Sequence, residues 1–266
     1  MIIEHPKIKE KQQEIEALKQ KLTEEVYAYD HLVHITCRNL QTLYMTKIGD
    51  LDYSLYQKEC EYRRLKRRLE LMRAALARRE TISEEQLEKT LDKEFASYQA
   101  KLQEKQEQMQ EALCRIGCPA LKPEDAEDLR KLYRKLVRRL HPDVNPDGTE
   151  NDLKLFQQAV EAYRNGDLSA MRILSVLADT GGKALQNDSL AVLEAERERL
   201  NACLETVRAR AEKVRNSFPY VLRDMLEDPA GIEEYRHSLK IRIEQYDAAI
   251  RELQTTVDEL HRRMLS

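Results

Sequence analysis

His141, Pro142 and Asp143 stand together at the end of a basic stretch, Leu129 to Leu140, that carries Arg130, Lys131, Arg134, Lys135, Arg138 and Arg139 and no acid. Proline fixes its own φ and pushes the residue before it out of helical conformation. A helix is therefore expected to end at about Leu140, leaving a restrained polar turn at the tip of a positively charged rod. Cations late in a helix complement its dipole, which accounts for part of this charge. A merely solvated helix, however, mixes signs to gain pairs four residues apart. Six cations without an acid suit docking onto an acidic partner better than chemistry on a bound substrate.

The patterns that carry catalysis are missing. The chain has no glycine-rich phosphate cradle, no HExxH and no nucleophile elbow. His5, His31, His34, His237 and His261 sit in polar helical contexts; His31 and His34, three apart, read as surface or packing residues. Cys114 and Cys118 could share a helix face, but a structural zinc site needs four ligands and no second pair is near. Five scattered cysteines argue against a disulfide framework and for a reduced, cytoplasmic protein. No catalytic residue, metal or cofactor is expected, and the protein reads as something other than an enzyme.

Bulk charge implies neither nucleic acid nor membrane. The net charge is −3, and no aromatic cluster or nucleic-acid motif accompanies the basic stretch. No apolar run is long enough to span a bilayer, and the N-terminus lacks the apolar core and cleavage site of a secretory signal.

The elements that must position the turn are helices. Charged residues make up 35% of the 266 residues, tryptophan is absent and there are only seven glycines, a composition of long helices and coiled coils. From about Lys7 to Arg79 no proline occurs and apolar residues recur at three- and four-residue spacing, with a phase shift around Tyr44, Ile48 and Gly49. Tyr27, Tyr29, Tyr44, Tyr53 and Tyr56 read as a packing surface of that helix. Ser83 and Gln86 form a capping box that opens a second helix, folded back as an antiparallel hairpin. After Gly181-Gly182 a 3-4 rhythm runs from Leu190 to Phe218, Pro219 ends it, and a heptad seam from Leu239 to Met264 follows. The last two helices are expected to form a second antiparallel hairpin, whose core could also receive the overhanging start of the first helix, or to dimerise through an unpaired stripe.

Between Gly117 and Gly182 lies a compact module. Pro123 with Glu124 and Asp125 marks a helix start. Leu129, Leu132, Leu136 and Leu140 give that helix an apolar face, and Asn145-Pro146-Asp147-Gly148 continues the turn. A helix from about Glu150 to Arg164 follows, stopped at Asn165-Gly166-Asp167, and then a short one through Leu168 and Leu177. The expected fold is all-α: a long-helix hairpin over 1–111, the module over 112–180 and a coiled-coil hairpin over 187–266.

This module resembles the J domain of DnaJ-like co-chaperones. The resemblance rests on Tyr133-Arg134-Lys135-Leu136, on His141-Pro142-Asp143 with Asn145-Pro146, and on Phe156 with Ala162-Tyr163. Ala112 to Gly117 looks like the family's first short helix. Leu140 stands where the family commonly has an aromatic, Val144 where it has a lysine, and Ala159 where it has a larger aliphatic. The likeness covers about a quarter of the chain and lies with the divergent class that shares only this domain. It implies that the protein binds a DnaK-type heat-shock chaperone and stimulates its ATP hydrolysis. Arg130, Lys131, Arg134, Lys135, Arg138 and Arg139 would face an acidic surface, His141, Pro142 and Asp143 would contact the junction that couples hydrolysis to capture, and the coiled coils would recruit an unknown client. The alternative is a coiled-coil scaffold with a J-like fold that engages no chaperone.

Overall fold

The computed structural model describes residues 6–78, 80, 83–116, 121–178 and 189–265, and among them every regular element is helical. The chain is all-α. Helix α1 (Pro6–His31) passes through a π-helical turn at Leu32–Cys37 into α2 (Arg38–Lys47), then α3 (Gly49–Arg78), α4 (Glu84–Ile116), α5 (Pro123–Leu140), α6 (Glu150–Asn165), α7 (Leu168–Ala178) and α8 (Leu190–Arg215). A 3-10 turn at Tyr220–Leu222 and the short α9 (Arg223–Glu227) lead to α10 (Pro229–Leu265). The phase shift expected near Ile48 is a real break: Ile48 is the one turn residue between α2 and α3. The π-turn left no mark in the periodicity.

Packing groups the helices into two units, each built from two separate stretches: 1–39 with 119–221, and 40–118 with 222–266. This is not the sequential division that composition suggested.

In the first unit α1 and α8 run side by side and parallel, with Lys19 beside Glu196 and Glu25 bonded to Arg208 at 2.9 Å. The three-helix module α5–α6–α7 packs on the same core. Leu22 and Val26 of α1, Leu200 and Leu204 of α8, and Tyr133, Leu136, Ala159 and Met171 of the module share one buried cluster. Each fully buried leucine, valine or methionine among them contributes about 1.5–3 kcal/mol, so α1 is an integral wall of the module. Ala112 to Ile116, read from sequence as the module's first helix fused to the end of the long hairpin, is the end of α4 as that fusion requires, but it groups with the second unit, with Leu113 and Ile116 exposed; Gly117 lies outside the described residues. The physical reason is that α1 offers a longer apolar face than that five-residue stretch.

In the second unit α3 and α4 form the expected antiparallel hairpin. Ser83 and Gln86 make the reciprocal cap, with the Gln86 N–H donating to Ser83 Oγ at 3.2 Å. Arg68 pairs with Glu84 and Glu88, Arg64 with Glu88 and Asp92, and Lys105 with Asp52, a ladder that fixes antiparallel register. The expected hairpin of the last two helices is replaced by other pairings. The partner of α8 is α1, and α10 packs along α3 in parallel: Arg236 meets Asp50, Lys58 meets Asp247 at 2.9 Å, and Val257 joins Leu69 and Met72. A heptad seam specifies that a helix pairs, not with which partner or in which direction; these cross-helix charges supply that choice.

Candidate functional site

The basic helix α5 starts with Pro123 at its first turn and ends at Leu140, where His141 takes an extended conformation. Leu129, Tyr133, Leu136, Val137 and Leu140 face the core. The side of α5 opposite them carries Lys131, Arg134, Lys135 and Arg138, all exposed. Arg130 is exposed at one edge and returns its Nε to the Ala126 carbonyl at 3.1 Å. Arg139 is half-buried on the α6 side, where its charge helps hold the Asp152 carboxyl below its ordinary value, after the larger effect of hydrogen bonds from Thr149. Four of the six sequence-predicted cations thus share one open face, Arg130 borders it and Arg139 leaves it.

That face is framed by acids of α1, which lies antiparallel to α5. Arg138 pairs with Glu16, and Arg134 lies 3.6 Å from Glu24 with its guanidinium 4.3 Å above the Tyr27 ring. Lys131 pairs with Glu127 one turn back. The charged groups of these three pairs are all exposed, and such pairs yield readily to a competing partner.

The turn at the end of the face is tightly held. Asn145 Nδ2 donates to the carbonyls of Arg138 at 2.6 Å and Arg139 at 2.7 Å, capping the last turn of α5. The Val144 and Asn145 N–H groups donate to the His141 carbonyl. His141 is half-buried with its ring edge-on to Phe156 at 4.9 Å, and its Nδ1 accepts the Asp143 N–H at 3.0 Å. Burial holds the His141 imidazole below its ordinary pKa; Asp143 opposes that and Arg210 adds to it. Pro142 is exposed. Val144 is buried in the core.

Two parts of the site were not read from the sequence. Arg199 of α8 donates from Nη1 to the Asp143 carbonyl at 3.0 Å. Asp30 of α1, 8% exposed, accepts the Tyr133 hydroxyl at 2.6 Å. The one sequence signal for Asp30 is an acid inside an otherwise apolar stripe. Nothing in the local pattern distinguishes Arg199 from its charged neighbours.

Among the described residues no group of three potential ligands could hold a metal ion, and no helix is long and apolar enough to cross a membrane. Cys37, Cys60, Cys114 and Cys203 are not in disulfides, and Cys118 lies outside the described residues. His31 and His34 are half-buried and held below their ordinary pKa, chiefly by burial and then by nearby arginines. Compared with known proteins, the chain matches no family model, no curated protein and no solved structure.

Proposed function

We propose that this protein is a J-domain co-chaperone: it docks a DnaK-type heat-shock chaperone through α5 and the His141-Pro142-Asp143 turn and stimulates its ATP hydrolysis. The observation that carries the reading is the placement of the turn at the end of one open face holding Lys131, Arg134, Lys135 and Arg138. Such a face steers and orients an acidic partner, an effect that weakens with salt. The turn then makes the contacts that favour the hydrolysis-competent state of the chaperone. The protein does no bond chemistry itself and works by differential binding. The helices outside the module recruit a client or a location.

A second reading has one observation in its favour. Glu16 and Glu24 already pair with Arg138 and Arg134, as in a scaffold whose module is purely structural. Single-turnover ATP hydrolysis by a DnaK-type chaperone from the same organism separates the two. Acceleration by the wild type and its loss in His141→Gln support docking. No acceleration by a folded wild-type sample supports the scaffold.

A further inference from the structure

We infer that Arg199 is a positioning residue of the His-Pro-Asp turn: from α8 it fixes the backbone of Asp143 and, through it, the tautomer and orientation of the His141 ring. The inference rests on the docking reading for its functional consequence and on the free protein alone for its geometry.

Each nitrogen of the Arg199 guanidinium is engaged. Its Nε and Nη2 engage the two oxygens of Glu196 at 2.7 and 2.9 Å. Lys19 of α1 lies 3.9 Å from the same Glu196 carboxylate. The remaining Nη1 donates to the Asp143 carbonyl and lies 3.8 Å from Cys203 Sγ. A planar fork held at one edge by a carboxylate aims its other edge in a fixed direction. A lysine could reach the carbonyl but could not hold Glu196 at two points while doing so.

Asp143 is therefore gripped from both ends. Its carbonyl accepts from Arg199 and its N–H donates to His141 Nδ1. With both backbone groups engaged, its φ and ψ have little freedom. An Nδ1 that accepts a hydrogen bond places the proton of the neutral imidazole on Nε2, so the ring presents Nε2–H as its donor. A turn carbonyl at a surface finds water without help. A half-buried arginine on a helix more than fifty residues away, clamped by its own glutamate, does what water cannot and holds the turn in one geometry. The α1–α8 pair thereby becomes part of the docking apparatus as well as a wall of the core.

The test uses the full chain with Arg199→Met, Arg199→Lys and Glu196→Gln. Imidazole nitrogen NMR of the free wild type should show His141 as the Nε2–H tautomer. In Arg199→Met the tautomers should mix. In single-turnover chaperone assays Arg199→Met should lower maximal stimulation about tenfold or more, the loss of one charge-assisted hydrogen bond. The half-saturating concentration should stay within about twofold, because the basic face that governs encounter is untouched. Arg199→Lys should restore part of the stimulation. A folded Arg199→Met with an unchanged His141 tautomer and full stimulation overturns the inference. Should Arg199→Met not fold, Glu196→Gln frees the guanidinium with little change of volume, and an unmoved His141 signal there overturns it equally. If the wild type itself gives no stimulation, the docking reading falls, while the His141 spectrum still decides the positioning claim.

Discussion

The Tyr133 hydroxyl donates to the Asp30 carboxylate at 2.6 Å, and both side chains are shut away from solvent. The pair joins α1 to α5 at the centre of the module's core. Tyr133 stacks flat on Tyr163, with ring centroids 4.1 Å apart and planes 6° from parallel, and Tyr27 tilts against both. A carboxyl in such a place costs free energy unless it is hydrogen-bonded. Burial pushes Asp30 up to about 6, against the opposing effect of the Tyr133 hydrogen bond. Burial, and then the Asp30 charge, push the Tyr133 hydroxyl well above the usual phenol range. The contact fixes register between helices that apolar packing alone would allow to slide.

Asp30 gives stability a defined pH dependence. Its folded pKa of about 6 lies above the ordinary 3.8, so the folded state holds this proton more tightly. The contribution is fully present below about 3.8 and is lost as pH rises through about 6. At neutral pH the loss is at most about 3 kcal/mol, at 1.36 kcal/mol for each pH unit. Asp30→Asn stays neutral throughout and still accepts from Tyr133. At pH 7.5 it should equal or exceed the wild type in unfolding free energy, and the advantage should shrink by pH 5. Urea unfolding at the two pH values measures this; a difference between the proteins that stays constant with pH contradicts it.

Tyr133→Phe should act in the opposite sense. It removes the donor and leaves a buried carboxylate unsatisfied, at about 1–3 kcal/mol. The loss should be greatest at pH 7.5 and largely recovered at pH 5, where Asp30 binds a proton. In an Asp30→Asn background the same change should cost less, since the acceptor is no longer charged. Equal costs in both backgrounds would break the proposed link between the two residues.

Gly166 ends α6 at a φ of +71°, and its N–H donates to the carbonyls of Ala162 and Tyr163. A Cβ there would lie 3.0 Å from Leu121 Cδ1. Gly166→Ala should therefore destabilise the first unit by about 1–2 kcal/mol, the penalty for a left-handed residue. Chemical denaturation followed by the tyrosine signal checks this. A neutral outcome would mean that the α6–α7 turn has another conformation.

Sequence legibility followed the range of the interaction. The ends of α5, the Ser83–Gln86 cap and the stop at Gly166 are local events set by Pro142, by side chains three residues apart and by one glycine, and each was readable. Leu129, Leu136 and Leu140 were expected on the apolar face and are buried. What escaped were choices among equivalent apolar stripes. Leu200 and Leu204 seek a partner in α1, and Val257 seeks one in α3. The residues that decide between partners, such as Lys19 with Glu196 or Lys58 with Asp247, are scattered charges with no meaning until the helices meet. Arg199 was illegible for the same reason, because its target is a backbone carbonyl 56 residues earlier.

The exposed pairs between α1 and α5 allow docking to be separated from stability. Arg138 with Glu16 and Arg134 with Glu24 are surface contacts, and such pairs contribute little to folding. Glu16→Gln together with Glu24→Gln should leave the melting temperature nearly unchanged while freeing both arginines. If α5 docks an acidic surface, that double variant should bind a DnaK-type chaperone more tightly than the wild type at low ionic strength. The gain should fade as salt rises and the field around the face is screened. Arg138→Gln should weaken binding with the same salt dependence. Titration calorimetry at two salt concentrations reads both. Unchanged affinity in the glutamate variants would mean that the arginines serve α1 rather than a partner, which is the scaffold reading; a fall in melting temperature with no change in binding would say so more strongly still.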